Sequence, residues 1–136
     1  MKKTIAILVA VVMIAVVMGV DVAAAVTSIS HAKAQQPTSL MVTFYPKQVT
    51  HGKDFDVTGR LTSSGTGLGN KLIYHSYFDT KDNKWYWDWN FTTNSDGSFT
   101  DTFNIINSGP FTVRYEFWGD GQYAASTSDP ITITAT

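Results

Sequence analysis

The chemistry with the clearest address in this chain is aromatic. Lys84-Trp85-Tyr86-Trp87-Asp88-Trp89-Asn90-Phe91 gathers three of the chain's four tryptophans into five residues. Alternate residues of a strand share a face. Trp85, Trp87, Trp89 and Phe91 are therefore expected on one face, and Tyr86, Asp88 and Asn90 on the other. Exposed, roughly coplanar indoles stack on sugar rings, which makes Trp85, Tyr86, Trp87 and Trp89 candidate carbohydrate-binding residues. The competing expectation is packing: tryptophan buries a large area and dominates cores, so one or two of these rings would fill the interior. Three indoles on one strand face exceed a single core position, so at least one should stay partly exposed near a sheet end. Asn90-Phe91-Thr92 is also an N-glycosylation acceptor sequence, with Asn90 on the polar face.

Other polar groups are weaker candidates. Asp79, Asp82 and Asn83 share a hairpin loop, and Asp96-Gly97 and Asp120-Gly121 occupy two more. Calcium takes such oxygen donors, yet Asp, Asn and Gly are also the ordinary residues of turns, and the spacing matches no EF-hand loop. His31, His51 and His75 are scattered and form no metal-ligand set. Ser76 follows His75 directly, so the two point to opposite faces of a strand and make no catalytic pair. Neither a nucleophile elbow nor a phosphate loop is present. These readings predict no enzyme, no metal and no cofactor. The Gly/Ser-rich stretch 63–70 reads as a flexible polar loop at a sheet end, where loops carry function.

The elements that must hold these residues read as strands. Leu40, Val42 and Phe44 alternate with polar neighbours, as do Phe55, Val57, Gly59 and Leu61, then Phe111, Val113, Tyr115 and Phe117, then Ile131 and Ile133. Period two with one apolar face is the pattern of antiparallel sheets. Turn residues cluster at Gly52, 63–70, Asp82-Asn83, Asn94-Ser95-Asp96-Gly97, Ser108-Gly109-Pro110 and Gly119-Asp120-Gly121. Seven strands are predicted, at about 40–46, 54–62, 71–79, 84–92, 98–105, 110–118 and 129–135. Seven short strands in about 100 residues imply an all-β, two-sheet antiparallel sandwich over residues 40–136.

The order of these turn-and-strand pieces carries a resemblance. Gly52, Val57-Thr58-Gly59-Arg60-Leu61-Thr62 and Gly67-Leu68-Gly69-Asn70 are followed by Thr93-Asn94-Ser95-Asp96-Gly97-Ser98-Phe99 and Ser108-Gly109-Pro110-Phe111-Thr112-Val113. Phe117-Trp118-Gly119-Asp120-Gly121-Gln122-Tyr123 and Ser126-Thr127-Ser128 complete it. Nearly all of 40–136 resembles the immunoglobulin-like repeat of bacterial and archaeal surface and adhesin-like proteins. Two departures stand out: such modules usually occur in tandem and here there is one, and Phe111 stands where a corner tyrosine is often kept. The resemblance implies an immunoglobulin-like sandwich and a role as spacer, adhesive module or structural repeat.

Ahead of the domain, Lys2 and Lys3 precede an uncharged apolar run from Ile5 to Val20. Charge followed by an apolar core is the plan of a secretory signal. At ~1.5 Å per residue its helix would cover about 24 Å, short of the ~30 Å hydrocarbon core. Cleavage after Ala34 is expected, making 1–34 a signal peptide and 35–39 a short linker. An uncleaved anchor helix reaching the membrane through residues 5–26 is the rival, and a pilin-like retained helix a more distant one. The two lysines stay inside, so the domain is expected outside, secreted or on the cell surface.

Composition narrows the partners. The chain has no cysteine, which excludes disulfides, thiolate nucleophiles and cysteine-bound metals. After position 34, seven Lys and Arg face ten Asp and Glu, a net −3, with no basic face for nucleic acid. The sequence therefore predicts an exported, non-catalytic module contacting other surface proteins or itself. One alternative is a carbohydrate-binding module using 85–91. Another is a filament subunit that donates residues 35–45 as a strand to a neighbour through its edge.

Overall fold

The computed structural model describes residues 32–136. The apolar run Ile5–Val20, the alternative anchor over 5–26 and His31 lie outside the described residues. Among those described, the chain is all-β and forms ten strands: β1 Ser39–Phe44, β2 Gln48–Val49, β3 Phe55–Ser63, β4 Thr66–Gly67, β5 Leu72–Asp79, β6 Lys84–Thr92, β7 Ser98–Phe103, β8 Gly109–Phe117, β9 Ser126–Thr127 and β10 Ile131–Ala135. The seven long strands fall where the alternation predicts them. Three two-residue strands add to that number. They lack the length to show a period, which is why alternation passes over them.

The strands form two sheets. In the first, β3 is central, with β1 on one side and β7 and the short β4 on the other. In the second, the order is β2-β10-β8-β5-β6, with β9 also paired to β8. The strand pairs are antiparallel except β2 with β10, which run parallel.

β3, β5, β7, β8 and β10 turn one parity inward. Val57 and Leu61 from β3, and Phe99 and Phe103 from β7, meet Ile73 from β5, Val113, Tyr115 and Phe117 from β8, and Ile131 and Ile133 from β10. Burying such side chains contributes about 1.5–3 kcal/mol each before entropy is counted. Gly59 shares this inward parity. A Cβ there would lie 2.2 Å from Cζ of Phe99, so the missing side chain lets the Phe99 ring lie against the β3 backbone.

Two expectations about loops change. Residues 35–39 are tied to the domain rather than free. The Gln36 amide donates to the Gln122 carbonyl at 2.8 Å, the Ala124 amide donates to the Gln36 carbonyl at 2.8 Å, and Ser63 Oγ donates to the Pro37 carbonyl at 2.7 Å. Residues 39–44 then pair with β3 of their own chain, so the strand that the filament reading would lend out is used at home. Within 63–70, residues 67–69 are packed, while Ser64, Gly65, Thr66 and Asn70 are exposed. Leu68 is buried, its amide bonds the Leu61 carbonyl at 2.9 Å, and Gly67 and Gly69 lie against the backbone of Ser95 and Asp96. The glycines there serve close approach between two turns.

Candidate functional site

The tryptophan strand β6 lies at the edge of the second sheet, paired only with β5. Its four large apolar residues do not share one face, contrary to simple alternation. Trp89 pairs with His75 and Trp87 with Ser76, leaving Asp88 as an extra residue. This β-bulge resets the parity. Trp85 and Trp87 face outward, Trp89 and Phe91 face the core, and Asn90 joins the outward set.

The outward side carries an aromatic patch. Tyr74 lies between the inward Ile73 and His75 and therefore points outward. Its ring stacks on Trp118, centroids 3.6 Å apart and planes within 8°. Trp87 stands nearly perpendicular to both, at 81° to Tyr74 with centroids 5.6 Å apart and 87° to Trp118 at 6.2 Å. Trp87 is 54% exposed and Trp118 52%. An indole stacked on one side and still half exposed has its other side bare. The rings are thus not coplanar, and the platform is an L-shaped corner rather than a flat row.

Next to this corner, the Arg114 guanidinium lies 4.2 Å over the Trp85 ring, and Phe78 packs on that indole at 5.3 Å. Arg114 also pairs with Glu116 at 3.4 Å, and Glu116 accepts a hydrogen bond from the Ser76 hydroxyl. Cation–π and ion-pair contacts together hold Arg114 across the sheet. Past Trp118, Lys71 Nζ bonds Asp120 at 2.6 Å. That hydrogen bond, aided by the amides of Gln122 and Tyr123, holds the Asp120 carboxyl down to about 2.

Tyr86 sits at the hairpin end, where its hydroxyl donates to Asp82. That carboxylate raises the phenol above its ordinary value. Tyr86 neighbours Tyr77, which packs on the core, and so is not part of the outer corner.

The inward side is a polar clamp in an apolar core. Asp101 of β7, 5% exposed, reaches from the first sheet to three donors of the second. Its Oδ2 accepts from His75 Nδ1 at 2.7 Å and from the Tyr115 hydroxyl at 3.0 Å, and its Oδ1 accepts from Trp89 Nε1 at 3.0 Å. Facing a carboxylate, which only accepts, Nδ1 of His75 presents an N–H. Burial first, then the Asp101 charge, lifts the Tyr115 phenol far above its usual range, so it remains a protonated donor. His75 Nε2 is buried with no hydrogen-bond partner among the described residues. Trp89 is therefore a packing and clamping residue rather than a ligand platform.

The sequence candidates thus separate. Trp85 and Trp87 both face outward but pack with different partners, Trp89 goes inside, and Tyr86 stays at the hairpin. Tyr74 and Trp118 were missed on the outer face, and Asp101 and Tyr115 in the clamp. Parity carried the signal for both sets: Trp118 follows the inward Phe117, and Asp101 sits between Phe99 and Phe103 on an apolar stripe. Elsewhere the aspartates satisfy turns. Asp79 accepts from the Lys81 amide at 2.8 Å, Asp96 from the Ser98 amide at 3.0 Å, and Asp120 from the Gln122 amide at 2.8 Å. Among the described residues no three acidic or histidine side chains converge on a metal position. A separate groove of about 440 Å3 runs between β1 and β9–β10, lined by residues that include Thr38, Leu40, Val42, Tyr45 and Ile131.

No protein family matches the chain, and no curated protein matches it in sequence.

Proposed function

We propose that this chain is an exported, non-catalytic module with an immunoglobulin-like sandwich, working by contact at the cell surface. Support for the sandwich type comes from the division of strands into β1-β3-β7 and β10-β8-β5-β6, together with the turn-and-strand order that resembles surface-protein repeats. Export rests on the lysine-led apolar run at the N-terminus. The contact face is the outer side of β5, β6 and β8. A single observation carries this: two indoles, Trp87 and Trp118, stand half exposed on a built aromatic corner. Aromatic anchors of this kind supply much of the energy of protein interfaces.

The test is capture of partners, or of a second copy, from envelope extract by the full chain and by a Trp87→Ala/Trp118→Ala double variant. The reading expects specific capture by the first and none by the second. Equal capture by both, or a strict monomer with no partner, removes it.

A second reading, carbohydrate binding, is favoured by the bare indole side of Trp118, which matches the apolar C–H face of a pyranose. The perpendicular Trp87 suits a single soluble sugar chain better than a flat crystalline surface. Affinity electrophoresis through gels containing soluble polysaccharides tests it. Retardation of the native chain, lost in Trp118→Ala, supports this reading, and equal mobility of both in every gel defeats it.

A further inference from the structure

The bulge at Asp88 has a second effect, on Asn90. Trp89 and Phe91 both point into the core, so Asn90 between them points outward, onto the aromatic side. Its partner directly across the sheet is Tyr74. Cβ atoms of such opposed residues lie about 5 Å apart, and Tyr74 is the ring on which Trp118 stacks. Trp87 lies on the same outward side of the same strand.

Asn90 and Thr92 are both exposed, and Asn90 makes no side-chain hydrogen bond within the described residues. Asn90-Phe91-Thr92 is the chain's one acceptor sequence of its type. It lies on an edge strand whose far side has no partner strand among the described residues. A modifying enzyme can therefore reach it.

We propose that Asn90 is an N-glycosylation site whose first sugar ring lies on the Tyr74–Trp87–Trp118 patch. The inference rests on export and on the outer face as read above. In the transfer, Asn90 Nδ2 forms a bond to the anomeric carbon of an oligosaccharide carried on a lipid phosphate or pyrophosphate. The C–O bond to the carrier breaks, the phosphate leaves with the electron pair, and Nδ2 gives up one proton. Nothing is oxidised or reduced. The tethered ring then needs no search to find the patch: the covalent link supplies a high effective concentration, and its apolar face covers indole that otherwise meets water. The modified chain offers glycan to its surroundings, whereas the unmodified chain offers bare tryptophan. Occupancy of Asn90 thus sets what the contact face can meet.

The test compares the full chain isolated from its native host with Asn90→Gln and Thr92→Ala made in the same host. Peptide mass mapping is expected to find sugar mass on Asn90 in the wild type alone. Acrylamide quenching of tryptophan emission is expected to be weaker in the wild type than in either variant. An unmodified Asn90, or a modified one with quenching equal to that of both variants, overturns the proposal. Capture of partners by Asn90→Gln, abolished by adding Trp118→Ala, keeps the contact reading standing even then. No capture by Asn90→Gln, with Asn90 modified and shielding in the wild type, removes the contact reading and leaves this one.

Discussion

Trp87 and Trp89 stand two residues apart on one strand and have opposite roles. Trp89 turns inward, gives its indole N–H to Asp101 and packs against His75 at 3.8 Å between centroids. Trp87 turns outward and forms one wall of a half-exposed corner. In an unbroken strand they would lie side by side. One extra residue, Asp88, moves a tryptophan from the interior to the surface without any change of residue type. Inside, the aromatic ring earns its place through a hydrogen bond and close packing; outside, it keeps area open for contact.

The largest expected effect comes from emptying the inner clamp. Asp101→Ala leaves the His75 Nδ1–H, the Tyr115 hydroxyl and the Trp89 N–H without their acceptor, and should cost about 1–3 kcal/mol for each buried donor left unpaired. Urea denaturation at neutral pH measures it. A loss below about 1 kcal/mol would show that burial alone holds these rings in place. Next comes Trp89→Phe, which keeps most of the ring but removes one donor to a charged acceptor. It should cost about 1.5–3 kcal/mol by the same measurement.

The outer face should respond the other way. Trp118→Ala is expected to change stability by less than about 1 kcal/mol, as exposed positions do, while abolishing whatever contact the face makes. A stability loss as large as that of Trp89→Phe would mean that the corner is packing after all.

The smallest effect lies beside that corner. Lys71→Ala should raise the Asp120 carboxyl from about 2 toward its ordinary value of 3.8, read by NMR titration of that side chain. The sign follows from a depressed folded-state pKa: the stabilisation is complete above the ordinary value and is lost as pH falls from there through about 2. In Lys71→Ala that acid-side dependence should shrink.

These contrasts also mark where sequence reading succeeds. The long strands carry five to nine residues each, enough for alternation to declare itself, and all seven could be placed. β6 itself, Lys84–Thr92, was located to the residue. Its faces could not be, because nothing in Trp-Asp-Trp distinguishes a bulged strand from a regular one. The difference is imposed by β5, which pairs on both sides of the bulge. The docking of residues 36–38 onto the turn after β8 was hidden for a similar reason, since its hydrogen bonds join amides more than 80 positions apart. Asp101 was missed although it sits between Phe99 and Phe103 on an apolar stripe, because its three partners come from the other sheet.

The anchoring of Gln36 has a mechanical consequence. Gln36 is fastened near the end of β8, beside Gln122 and Tyr123, whereas Ala135 is paired with Gly109 at the start of β8. The chain thus enters the sandwich at one pole and passes Ala135 at the other. Tension between these points runs along the strands, and sheet hydrogen bonds lie across them. β1 and β10 would then be loaded in shear, many bonds at once, instead of being peeled one bond at a time. Wired in this way, the domain would resist tension between Gln36 and Ala135 more strongly than a fold whose end strands peel.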